Sequence, residues 1–263
     1  MKDNKLFVYS FYRFINIINK VALSIKLKQF CHDKKIKGTV LIADEGINGS
    51  ISGNKIYLNT FIKILKHECN IRQLSLKINE TNFIPFNKMK VKLKKEIVSF
   101  GNSNLSSHSN GKNKLIPSDW AKLISDKSVK LIDVRNKYEI NIGKFKNSIN
   151  PNTNNFREFP KAVKNFKIKK SDTIAMYYTG GIRCEKASNF LKKKGFKNVY
   201  ELDGGILNFF EYFKNKETLN LYKGECFVFD DRVSVTKKLK KGKYDQCHGC
   251  RMPLLNSEKK PKY

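Results

Sequence analysis

Apolar and polar positions change rhythm along the first hundred residues. Residues 6–14 are mostly apolar and aromatic, which predicts a strand. Residues 19–31 carry Val21, Leu23, Ile25, Leu27 and Phe30 at spacings that predict a helix. Thr39-Val40-Leu41-Ile42, inside residues 37–43, predicts another strand. Residues 44–49 read as a turn, and residues 50–52 as a short strand closing a hairpin. Residues 57–65 predict a second helix, and residues 74–78 and 89–98 two more strands. Strand, helix, strand, strand, helix, strand is the order of a ferredoxin-like domain. Such a domain often binds RNA or regulates, but a fold does not determine a function.

Residues 101–114 are rich in Ser, Asn and Gly and lack apolar periodicity, so they read as a linker, with His108 a solvated loop residue. A second pattern follows. Pro117-Ser118-Asp119-Trp120 predicts a helix start with Ser118 as N-cap. Residues 130–135, 173–178 and 199–202 predict short strands separated by helical stretches. That alternation implies a parallel sheet with helices on both faces, which carries its site at the carboxyl ends of the strands. Arg135 and the loop over residues 178–184 lie at such ends. The expected division is a ferredoxin-like accessory domain over 1–100, a linker over 101–115, a catalytic α/β domain over 116–216 and a basic tail over 217–263. Within the tail, residues 224–235 read as a strand pair or an extended arm. Residues 237–243 are a basic run, either a solvated face or a reach for RNA phosphate.

The chain's 263 residues suffice for two cores, and its formal net charge is +30. An excess of Lys and Arg suits a nucleic-acid partner, because these side chains neutralise phosphates and release counterions. A nucleotide-biased genome that favours Lys, Asn and Ile explains the same excess, and the two readings are compatible. No apolar run approaches the roughly 18 residues of a membrane span, and residues 1–13 do not form a signal peptide. The expectation is a soluble, cytoplasmic protein with no membrane partner. Cysteines stand at 31, 69, 184, 226, 247 and 250, a scatter unlike a secreted disulfide framework. Cys247-His248-Gly249-Cys250 is a C-x-x-C pair, but zinc needs four ligands and only Cys226 and His248 are on offer to complete a set; no metal is expected.

The chemistry concentrates in residues 176–186. An apolar strand runs into Gly180-Gly181, and a helix is expected to start near Cys184. That geometry aims several backbone N–H groups at one point, which suits an anion. Cys184, next to Arg183 at a helix start, is expected to have a lowered pKa and thiolate character. Asp133 pairs with Arg135 or caps a turn, and Gly180, Gly181, Gly204 and Gly205 serve tight turns.

The loop from Tyr178 to Arg183 resembles the active loop of rhodanese-like domains, C-x-x-x-x-R, with Tyr178 where that family has its catalytic cysteine. A phenol, with a pKa of about 10, does not carry sulfane sulfur. Further stretches resemble the rhodanese-domain tRNA uridine hydroxylases. They are residues 36–50, Ile132-Asp133-Val134-Arg135-Asn136-Lys137-Tyr138-Glu139, residues 150–153 and 156–160, the 179–187 loop, Leu202-Asp203-Gly204-Gly205-Ile206 and residues 227–232. The resemblance implies an oxidoreductase of tRNA modification that converts the wobble uridine to 5-hydroxyuridine. Its partner would be the tRNA anticodon loop, its co-substrate dioxygen, and no other cofactor is identifiable. Cys184 would add to uracil C6 so that C5 attacks the oxidant. Backbone N–H groups of Gly180 and Gly181, with Arg183 or Arg135, would stabilise the charge; Tyr178, Thr179 and Ile182 complete the active loop, with Asp133 and Arg135 in support. Two alternatives remain: a sulfurtransferase, and a catalytically silent module that binds tRNA or another partner.

Overall fold

A computed structural model describes residues 5–101, 113–214, 216 and 220–258 of the protein. The chain forms two compact units, Met1–Ser106 and Ser107–Tyr263.

The first unit runs β1 (Leu6–Phe14), α1 (Lys20–Asp33), β2 (Lys37–Ala43), β3 (Gly46–Asn54), α2 (Lys55–Glu68), β4 (Ser75–Thr81) and β5 (Met89–Leu93). Its sheet has the order β4-β1-β3-β2-β5, so the ferredoxin-like arrangement is present with β5 added parallel to β2. Asn19 and Asn54 cap the two helices by accepting the N–H groups of Ala22 and Ile56. Leu23, Leu27 and Cys31, four residues apart, form the buried stripe of α1, and Leu58, Phe61, Ile62 and Leu65 that of α2. They pack with Tyr9, Phe11, Val40, Ile42, Ile47 and Ile51 of the sheet. Val21 and Ile25, expected among the core-facing positions, are exposed, because the buried stripe follows the i, i+4 row of Leu23.

Two boundaries differ from expectation. The hairpin turn is only Asp44-Glu45, and β3 extends over nine residues. The strand expected over 89–98 stops at Leu93, because the Ile97 N–H is taken by the Glu45 carboxylate and its carbonyl by the Asn48 amide. His108 and most of the expected linker lie outside the described residues.

The second unit begins with β6 (Lys114–Leu115), α3 (Pro117–Ser125), β7 (Lys130–Asp133), α4 (Lys137–Ile142) and β8 (Gly143–Phe145). It continues with α5 (Phe159–Ala162), β9 (Thr173–Tyr177), α6 (Ile182–Lys193), β10 (Asn198–Leu202) and α7 (Gly205–Tyr212). The sheet β6-β10-β9-β7 is parallel throughout. Ser118 is not an N-cap: Ile116 holds that position and Pro117 opens the helix, its missing N–H being one of those a helix start leaves unpaired. Ala175 and Tyr177 of β9 face a core shared with Trp120 of α3 and with Ile206, Phe209 and Phe210 of α7. The alternation of the strand turns Ile174 and Met176 to the other face.

The segment expected as a tail is folded into this unit. β11 (Tyr222–Gly224) pairs with β8, β12 (Cys226–Phe227) with β13 (Ser234–Val235), and β14 (Tyr244–Gln246) with β15 (Pro253–Leu255). Tyr222, Cys226, Val228 and Val235 belong to the second core. No helix among the described residues is long and apolar enough to cross a membrane. Phe145 is the hub of that core, with ring centroids of Tyr177, Phe209 and Tyr222 at 4.7, 4.8 and 5.1 Å. Phe145→Ala is expected to destabilise the second unit by about 3–5 kcal/mol, measured by urea unfolding with near-UV circular dichroism.

Candidate active site

The carboxyl end of β7 is organised by one buried ion pair. Arg135 Nε and Nη2 donate to the two oxygens of Asp133 at 2.9 and 2.6 Å, and the Arg135 N–H donates to Asp133 Oδ1 at 3.0 Å. The remaining guanidinium donors reach the carbonyls of Gly143 (2.7 Å) and Glu139 (3.4 Å) and the Tyr222 hydroxyl (3.3 Å). Both side chains are fully buried. Asp133 and Arg135 therefore hold α4 and β11 in place and present nothing to a substrate.

The loop after β9 is set from behind. Tyr178 and Thr179 carbonyls accept the N–H groups of Ile206 and Leu207 at 2.9 and 3.2 Å. Gly205 (φ +67°) makes this approach possible, since a Cβ there would lie 2.4 Å from the Tyr178 oxygen. Gly181, at φ 100°, is the N-cap of α6, so the helix starts at Ile182, two residues before the expected position. A Cβ on Gly180 would meet nothing within 4 Å, so the open side of the loop is there.

Arg183 projects from the first turn of α6 into a ring of aromatic groups. Its guanidinium lies 4.6 Å from the Tyr178 ring centroid, 5.4 Å from Phe156 and 5.8 Å from Phe229. Its Nη1 donates to Glu139 Oε1 at 2.8 Å, and that oxygen also accepts the Asn136 N–H. Glu139 Oε2 is buried with no hydrogen-bond partner among the described residues. Burial alone would lower the Arg183 pKa, but Tyr178 and Glu139 outweigh it and raise the value. Burial drives the Tyr178 phenol upward, so it stays protonated. One wall of the ring is open to solvent, because Phe229 is 54% exposed.

The thiols contradict one expectation. Cys184 is 0% exposed. Its N–H bonds the Gly181 carbonyl, so it sits inside the first helical turn. Burial, then Glu201 and Asp133, push its pKa well up, against the smaller pull of Lys114 and Arg183. The expected lowered pKa and thiolate character of Cys184 are therefore overturned. The neighbour of the loop that the sequence did not reveal is Cys226, whose sulfur is 3.9 Å from Thr179 Oγ1. Burial raises its pKa to about 11.

Arg183, Tyr178, Thr179, Gly180, Gly181 and Ile182 thus come together as expected, whereas Cys184 lies beneath them and Asp133 and Arg135 beside them as supports. Sequence reasoning missed Glu139, Phe156 and Phe229 as neighbours of Arg183. All three fall inside stretches that carried the family resemblance, which was the available signal. Cys247 follows β14 in a turn, where hydrogen bonds from Cys250 and then Gly249 hold its pKa down. The described residues contain no group of three or more His, Cys, Asp or Glu able to hold a metal.

Comparison with known proteins gives a consistent picture. Residues 6–97 match the UPF0176 acylphosphatase like domain, and residues 117–212 the Rhodanese-like domain. The tRNA uridine(34) hydroxylase of Pelagibacter ubique (strain HTCC1062) is 48% identical over 256 residues, which are 97% of this chain and 83% of that protein. A rhodanese-like domain of the Anabaena Alr3790 protein is 18% identical, covering 43% of this chain and 80% of its own, with a TM-score of 0.36. A rhodanese-related protein of Thermoplasma volcanium is 25% identical over 38% of this chain and 92% of its own, with a TM-score of 0.31.

Beneath the loop, Ser188 Oγ donates a hydrogen bond to Glu201 Oε1, and burial raises the Glu201 pKa from 4.5 to about 7. The folded state therefore binds a proton here that the unfolded chain releases between these values. The stabilisation is complete below the unfolded value and is lost as pH rises through about 7. Glu201→Gln, which mimics the protonated form, is expected to remove this loss. Across pH 5 to 8 the wild type should fall in Tm relative to the variant, measured by calorimetry.

Proposed function

The chain belongs to the tRNA uridine(34) hydroxylase family, whose members are oxidoreductases, and we propose that it hydroxylates the wobble uridine of tRNA at C5, with dioxygen supplying the oxygen atom. The observation that carries this reading is the Arg183–Glu139 pair inside its aromatic ring. Uracil presents an N3–H between two carbonyl oxygens. Arg183 donates to O4, and Glu139 Oε2, which has no hydrogen-bond partner among the described residues, accepts the N3–H. Cytosine would face the same carboxylate with a lone pair at N3, leaving buried polar groups unpaired. Tyr178 and Phe156 supply stacking surface, and Phe229 is the exposed wall that the arriving base displaces. An unpaired anticodon base reaches such a pocket without opening a duplex.

Hydrogen bonding of N3–H to a carboxylate pushes electron density through the ring to C5, the carbon that attacks an electrophilic oxygen. Arg183, held by Glu139, binds O4 and fixes the orientation of the base. One atom of dioxygen bonds C5 and becomes the hydroxyl as the C5–H proton leaves to solvent, and a two-electron donor from solution, with protons from water, reduces the other atom to water. Cys184 takes no part in bond formation and packs beneath the loop. Sulfur transfer finds no carrier at this loop, because Tyr178 holds its first position and the neighbouring Cys184 and Cys226 thiols are buried with raised pKa values.

The test is mass spectrometry of nucleosides from hydroxylation-deficient tRNA incubated with the protein under labelled dioxygen. One labelled oxygen on the wobble uridine is expected. Arg183→Lys should lower the rate about 10²–10³-fold, while Cys184→Ala should stay within about threefold because it removes no reacting group. A folded Cys184→Ala protein without product would return the thiol to the role of nucleophile. Glu139→Gln should narrow the preference for uridine over cytidine at the wobble position, read by comparing kcat/KM on the two tRNAs.

A further inference from the structure

Residues 236–243 form a closed hairpin loop that continues β13. The Thr236 N–H donates to the Lys240 carbonyl and the Leu239 N–H to the Thr236 carbonyl, both at 2.9 Å, and Val235 bridges Lys241. Leu239, at φ 59°, turns its side chain onto the second core. With the one apolar residue anchored inward, Lys237, Lys238, Lys240, Lys241 and Lys243 line a single open cleft of about 710 Å³. Ile142 and Tyr244 complete its walls.

The cleft is strongly cationic and little neutralised. Its one acidic lining residue, Glu225, is held at the base of the hairpin, where its Oε2 accepts the Ser234 hydroxyl at 2.7 Å and the Lys243 backbone N–H at 3.1 Å. Lys241 meets Asp245 only loosely, at 3.6 Å with both side chains partly exposed. Lys146 adds its charge nearby, and together with burial it lowers the Lys237 pKa. Like charges held together with so little compensation favour a bound polyanion.

The cleft also adjoins the candidate active site. Ile142 ends α4 three residues after Glu139, about 4.5 Å further along the helix axis. Resting on the reading that the substrate is tRNA, we propose that this lysine hairpin is a clamp for the sugar–phosphate backbone of the RNA strand whose base occupies the Arg183–Glu139 site. Lysines act on phosphate as mobile point charges without the fork geometry of arginine, which suits sequence-independent backbone contact. An anionic membrane is the lesser fit, since Leu239 is turned into the core and the hairpin offers no apolar side chain for insertion.

The triple variant Lys238→Gln, Lys240→Gln, Lys241→Gln tests the clamp. Fluorescence anisotropy would follow binding of the full chain to tRNA between 50 and 200 mM salt. The slope of log affinity against log salt should shrink by about 2–3, since each lost phosphate contact removes about 0.7–0.9. A rise in KM for tRNA should accompany it. The charge-matched control Lys164→Gln, Lys167→Gln, Lys169→Gln should keep the wild-type slope. An unchanged slope in the first variant, or an equal loss in the control, overturns the clamp. So does loss of binding to phosphatidylserine vesicles with tRNA binding intact. If wild type binds tRNA with the expected slopes yet yields no hydroxylated uridine, the clamp stands and the hydroxylase reading fails.

Discussion

The buried Arg135–Asp133 pair is the interaction on which the second unit is built. Two charges taken out of water are tolerable only when every donor and acceptor finds a partner. Here the guanidinium reaches a carboxylate, two backbone carbonyls and a phenol, drawn from β7, α4, the start of β8 and β11. Breaking such a pair by removing one member typically costs about 3–5 kcal/mol, because the other charge stays buried alone. The same contacts fix the orientation of α4, and through it the carboxylate of Glu139 that meets Arg183.

The turn that presents Phe229 repeats this device. Arg232 binds both oxygens of Asp230 through Nε and Nη2 at 2.8 and 2.6 Å, and its backbone N–H bonds Asp230 Oδ1 at 3.1 Å. An Asp-x-Arg turn thus stands on each side of the aromatic ring around Arg183. One supports the Glu139 side, and the other supports the exposed ring of Phe229. Both turns stiffen backbone that would otherwise be free loop, which keeps the polar pair at hydrogen-bond distance while leaving one wall open.

Cys184 shows how a sound local argument loses to its surroundings. A helix start and a neighbouring cation favour a thiolate by about 0.3–1 kcal/mol each at an exposed position, and up to ~2 in good geometry. Complete burial works in the opposite direction by as much as 3–5 pKa units. The carboxylates of Glu201 and Asp133 act in the same sense as burial. The direction the Cys184 side chain takes from α6 decides the outcome, and it points into the unit rather than toward the open side of the loop at Gly180.

The elements of the first unit and the main strands of the second were legible in the chain because strand and helix periodicities report which side of a segment is buried. The strand-helix order of the first hundred residues and the parallel alternation after residue 116 followed directly. So did the convergence of Tyr178, Gly180, Gly181 and Arg183 on one loop, since those residues are contiguous. Only the tertiary structure decided the rest. It brought Glu139 to Arg183 across 44 positions of sequence and Cys226 to Thr179 across 47. It folded residues 222–235 into a core where composition suggested a tail. It gathered five lysines around a cleft by anchoring a single leucine. Periodicity encodes local burial, whereas partners distant in the chain are chosen by packing, and packing also sets the charge state of every buried group.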